Sequence, residues 1–114
     1  MSPGYQAVQA SHAIADFIFQ YPEEARLWHD NSNYIIILTV PTEQDLRNLP
    51  KTLGSLGIKH TLFTEPDIDN APTAIALCPG PHVRKFCQGF PLALGDKRVC
   101  KDDKTAPVAQ FQSG

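Results

Sequence analysis

The stretch YIIILTV, Tyr34–Val40, decides how the rest of the chain is read. Ile35, Ile36, Ile37, Thr39 and Val40 all branch at Cβ, which stiffens χ1 and suits a pleated strand. The run does not alternate between polar and apolar positions. It therefore predicts a strand covered on both faces, as happens when helices lie above and below a sheet. On this reading the strand sits inside the sheet, with neighbours on both sides. It is far too short to cross a membrane, which takes about 20 apolar residues. Pro41 ends it.

Downstream, Thr42 caps a helix whose first turn in TEQDLRNL carries acids, favourable at the positive end of the helix dipole. Pro50 interrupts the pattern, yet Leu46, Leu49, Leu53 and Leu56 keep the helical step until Gly57 ends it. IKHTLFT alternates and reads as a second strand, EPDIDNAP as a turn-rich loop, TAIALCP as a third strand and PHVRKFCQGF as a short helix. Upstream, Pro3 and Gly4 open a helix that runs from Tyr5 to Tyr21. Its apolar stripe is Ala7, Ala10, Ile14, Phe17, Ile18 and Tyr21, and Pro22 stops it. EEARLWHDNS reads as a short second helix with Trp28 as an apolar plug. The order of elements gives an α/β layered domain over residues 1–94. Residues 95–114, GDKRVCKDDKTAPVAQFQSG, lose the pattern and read as a mobile tail.

The 114 residues suit one domain, and 42% hydrophobic residues can fill a core. A net charge of −2 gives no case for nonspecific nucleic-acid binding, although a local basic patch remains compatible with it. The three cysteines, Cys78, Cys87 and Cys100, lack paired spacing. They read as reduced thiols of a cytoplasmic protein, and they form no zinc clamp. No signal-peptide pattern, Walker loop, dinucleotide fingerprint or G-x-S-x-G motif is present. No metal or cofactor is therefore expected.

On the first helix Tyr5, Gln9, His12 and Asp16 lie within about 60° of one another, nearly opposite the apolar stripe. They form either a solvated face or a site. Two details favour a site: the face lacks the Lys and Glu usual on exposed helices, and small residues flank it. Asp16, one turn after His12, is placed to orient the imidazole. Arg84 and Lys85 follow CPGP, where a strand passes into a helix. They read either as an ordinary charged face or, with His82, as phosphate ligands. His29 and His60 read as structural or surface residues.

GYQAVQASHA resembles the opening helix of the archaeal and eukaryotic-type peptidyl-tRNA hydrolases, which carry G-K-x-A-x-Q-x-x-H-A there. Gly4, Ala7, Gln9, His12 and Ala13 match in register. A buried strand ending in Val40-Pro41, a helix with a Gly near its end, a strand leading into an acidic loop, and TAIALCP for T-x-x-A-x-x-P follow in order. The resemblance extends from Pro3 to about Leu94. It implies a mixed β-sheet of three to four strands sandwiched between helices. The implied reaction is hydrolysis of the ester joining a peptide, or an N-blocked amino acid, to the tRNA 3′ end. In those terms His12 acts on water or the leaving oxygen, Gln9 is a polar anchor, and Glu65 is the orienting acid with Asp67 as its rival. Tyr5 and Thr73 meet the substrate, and Arg84 and Lys85 meet tRNA phosphates.

The chain also departs from the family. Tyr5 stands where the family has Lys, and no D-x-G-x-T motif is present. EPD, in its place, also reads as a plain turn. The family's strand before the first helix has no counterpart ahead of Gly4. These departures keep a second reading open, a binding module for an RNA end or a protein partner without the chemistry. A third is an enzyme acting on another ester or amide. Three strands alone leave an apolar sheet edge. The remedies are an upstream segment, a homodimer, or capture of Ala106–Phe111 as a replacement strand. Of these the homodimer is the expectation.

Overall fold

The computed structural model describes residues 3–33, 35–40, 42–87 and 106–111. The elements are α1 (Pro3–Gln20), α2 (Pro22–Asn31), β1 (Ile35–Val40), α3 (Glu43–Ser55), β2 (His60–Glu65), a 3₁₀ turn (Pro66–Ile68), β3 (Ala71–Leu77), α4 (Pro81–Cys87) and β4 (Ala106–Phe111). Four strands form one mixed sheet in the order β1-β4-β3-β2. β4 runs parallel to β1 and antiparallel to β3, and β2 runs antiparallel to β3. This is the α/β sandwich that the sequence implies.

Local chemistry sets the helix ends. Pro22 has no N–H to donate back into α1, so it starts α2 instead, with Tyr21 leaving the helical conformation between them at φ −127° and ψ 68°. Thr42 and Asp45 form a reciprocal cap on α3: the Asp45 N–H donates to Thr42 Oγ1 at 3.2 Å, and the Thr42 N–H donates to Asp45 Oδ2 at 3.1 Å. At the other end Gly57 takes a left-handed φ of 71°. The N–H of Ile58 then reaches Leu53 O at 2.9 Å, and that of Gly57 reaches Gly54 O at 3.2 Å, which closes the last turn. Leu56, expected on the buried stripe, falls in this closing turn and is exposed.

Side chains of β3 divide the interior into two layers. Ile75 and Leu77 face α3 and α4, where they join Leu38, Leu46, Leu53 and Val83. Ala74 and Ala76 face α1, where they join Ala10, Ala13, Phe17 and Val108. The residues on the α1 side are small, so α1 lies close over β3.

Three expectations are corrected. First, Ala106–Phe111 of the expected tail is β4, placed between β1 and β3, with Val108 and Ala109 buried. Residues 95–105 and 112–114 lie outside the described residues. Small Ala106 and Ala109 suffice to fill the space between closely packed layers, so the segment carries no strong hydrophobic signal. Pro107, which argues against an inner strand, precedes the part of β4 paired with β3, which begins at Val108. β4 fills the place that motivated the homodimer.

Second, β1 lies at the edge of the described sheet. Among the described residues its only strand neighbour is β4. The apolar run reflects cover rather than position: Leu38 and Val40 join the α3 layer and Thr39 is buried, while Ile35 at the start of the strand is exposed. Third, the buried stripe of α1 is Gln6, Gln9, Ala10, Ala13 and Phe17, while Ala7 and Ile18 are exposed. The buried centre is thus rotated by roughly 75° from the apolar stripe. Two glutamines occupy positions that hydrophobicity alone gives to Ala7 and Ile18.

Candidate active site

Gln9 is fully buried between α1 and the sheet. Thr73 Oγ1 donates to its Oε1 at 2.6 Å, and its Nε2 donates to Glu65 Oε1 at 3.2 Å. The amide orientation follows from this pairing. A carboxylate only accepts, so the NH₂ end must face Glu65 and the oxygen must face the hydroxyl. Gln9 is thereby locked across strands β2 and β3.

Thr73 reaches Gln9 because β3 carries a bulge. Phe63 pairs with Ala74 and Thr64 pairs with Pro72, which leaves Thr73 without a partner on β2. Strict alternation would turn Thr73 away from α1, on the side of Ile75. The extra residue re-aims it, so that Thr73 and Ala74 both face α1. Pro72 is the sequence signal for this, since Pro within a sheet marks edges, strand starts or bulges.

Glu65 ends β2 on the same face as Phe63 and Thr61. Thr61 Oγ1 donates to Gln20 of α1 at 2.7 Å. Beyond Glu65 the chain turns through the 3₁₀ segment, and Asp69 and Asn70 both adopt φ 57°. The Asn70 N–H closes the turn on Glu65 O at 2.9 Å. Asp and Asn tolerate this conformation, so the turn reading of this segment matches the structure. It is Glu65 that meets Gln9. Asp67 is exposed on the turn.

His12 is exposed one turn beyond Gln9, and its ring stacks on Phe63 with centroids 4.7 Å apart and planes 14° from parallel. The expected partner, Asp16, does not engage it. Among the described residues no hydrogen bond or ion pair joins the two. Phe63, two residues before Glu65, is the site residue that the sequence reading missed. The alternation Thr61, Phe63, Glu65 places it there.

Tyr5 lies half-buried one turn before Gln9. Arg84 and Lys85 are not part of this cluster: α4 packs through Val83 and Cys87 into the layer under α3, across the sheet from α1. None of α1, β2, the 3₁₀ turn or β3 carries Lys or Arg, whereas Glu65, Asp67 and Asp69 are acidic.

Neither described cysteine, Cys78 or Cys87, is placed as a nucleophile for this site. Burial, and secondarily Glu24, pushes the Cys78 thiol up from its ordinary value, and Cys87 is buried on the α3 side. At the far end of α1, Lys59 pairs with Glu24 at 2.7 Å. This hydrogen bond lowers the Glu24 carboxyl and raises the Lys59 ammonium.

The site therefore combines a reachable imidazole, a half-buried carboxylate and a buried amide that fixes that carboxylate. The family model described as peptidyl-tRNA hydrolase PTH2 matches residues 1–92. No curated protein and no solved structure matches the chain.

Proposed function

Because the chain belongs to the peptidyl-tRNA hydrolase PTH2 family, we propose that it cleaves the ester between a peptide, or an N-blocked amino acid, and the 3′ end of tRNA. The observation that carries this reading is the chain Thr73–Gln9–Glu65 meeting beside exposed His12. Peptidyl-tRNA is the substrate, no metal or cofactor is invoked, and the cytoplasm is the place of action.

In this reading His12 accepts a proton from water as the water oxygen attacks the ester carbonyl. It returns the proton to the ribose oxygen as the C–O bond breaks. Glu65 accepts a hydrogen bond from the attacking water and so orients it. Gln9 and Thr73 are fully buried, and in this reading Gln9 anchors Glu65 while Thr73 holds Gln9 in place. Both act through Glu65. Tyr5 offers a ring and a hydroxyl to the tRNA end.

A second reading, binding without turnover, draws support from one feature. Among the described residues, the elements around the site carry no Lys or Arg to balance the developing oxyanion or the RNA backbone. An assay on N-blocked aminoacyl-tRNA separates the two. The enzyme reading expects release of free tRNA, and loss of turnover when the same ester is carried on adenosine without the tRNA body. Equal rates on both would indicate a general esterase, and tight binding without release would indicate a binding module.

Arg84 and Lys85 act on phosphate only if the tRNA also reaches the α4 side. Changing both to Ala should weaken tRNA binding and lower its salt slope by up to about two counterions. An unaltered slope removes them from the interface.

A further inference from the structure

Gln110 breaks the rule for an inner strand. It is fully buried in β4, beside Ala74 of β3 and Thr39 of β1. Its side chain points to α1, where Nε2 donates to the backbone carbonyl of Gln6. Its Oε1 is buried and has no hydrogen-bond partner among the described residues. An orphaned buried acceptor costs stability, and an apolar side chain of the same volume would remove that cost. Departures of this kind concentrate where position matters more than stability.

The neighbourhood says what is being positioned. Gln6 lies one helical step before Gln9. Ala74, opposite Gln110, immediately follows the bulged Thr73. Farther along α1, Ala10, Ala13 and Phe17 fix the helix by apolar contact, and such contact is tolerant of rotation and of sliding along the axis. In the first turns the buried residues are Gln6 and Gln9. There directional bonds set the helix, one from Gln110 and two through Gln9.

We propose that Gln110 is a positioning residue for the candidate site: by gripping the Gln6 carbonyl it sets the rotation of α1 that aims Gln9 at Glu65. This rests on the hydrolase reading for its catalytic consequence, though not for its geometric one. A strand that follows α4 in the chain thus completes a site whose other members lie between Tyr5 and Thr73.

The test is Gln110→Met, with Gln110→Leu as a second variant of similar volume. Melting temperature should be unchanged or higher, since the orphan acceptor is gone. The Gln9 side-chain amide resonances should move in the NMR spectrum. Turnover of N-blocked aminoacyl-tRNA should fall about tenfold in kcat with KM nearly constant. Unmoved Gln9 resonances, or unchanged kcat in an active protein, would overturn the proposal. If the wild type hydrolyses nothing, the Proposed function falls while the Gln9 resonances still decide the role of Gln110. If neither variant folds, the wild type decides. One Gln110 amide proton should be protected from exchange, and free-amide shifts and exchange there would count against the role.

Discussion

A chain that stops before Ala106 is expected to lose its cooperative unfolding transition altogether. β4 has neighbours on both sides. Its removal strips β1 of its only strand partner among the described residues and opens the edge of β3. The lost terms are several ladder hydrogen bonds, each worth about 1 kcal/mol net, and the burial of Val108, worth about 2 kcal/mol. Ala106 and Ala109 add smaller burial terms. Total stability for a domain of this size is about 5–15 kcal/mol, so the remainder does not hold a unique fold. Thermal unfolding followed by circular dichroism, with light scattering for aggregation, checks this. A truncated chain with a sharp transition near that of the full protein would show β4 to be dispensable.

That result concerns the part of the fold least legible in the sequence. Long, strongly patterned elements announce themselves: the isoleucine run of β1, the Thr42 cap, the leucines of α3 and the Gly57 stop all act over a few residues. β4 does not, because its place depends on what lies above and below it, and six modest residues mean nothing without those layers. The same holds for the α1 stripe. Hydrophobicity ranks Ala7 and Ile18 above Gln6 and Gln9. Gln9 is inside because the Thr73 hydroxyl and the Glu65 carboxylate pair with its amide, and Gln6 lies where its backbone carbonyl accepts from the Gln110 amide. The site was legible in part. Gln9, His12 and Glu65 are visible as residues, while the bulge that turns Thr73 inward and the ring beneath His12 require the register between strands.

His12→Ala should lower turnover by on the order of 10²-fold if the imidazole carries protons in the reaction. The folded state loses little: His12 is exposed, and its stack on Phe63 contributes about 1 kcal/mol. His12→Phe sharpens the test, because it keeps an aromatic ring over Phe63 and removes both nitrogens. Loss of turnover in both variants, each melting within a few degrees of the wild type, assigns the effect to proton transfer. Full activity in His12→Phe would reduce His12 to a lid on Phe63. A large fall in melting temperature for His12→Ala with activity retained would make it structural.

The position of β4 also has a consequence in time. Synthesis proceeds at about 5–20 residues per second, so roughly 1–6 s separate the completion of Leu77 from the start of Ala106. Throughout that interval β1 and β3 exist with a gap between them, and nothing yet grips the Gln6 carbonyl. A growing copy of this protein is itself a peptide esterified to tRNA. On the proposed function, it has the chemistry of a substrate for as long as that ester persists. The fold therefore delays assembly of the site until Ala106–Phe111 has been synthesised.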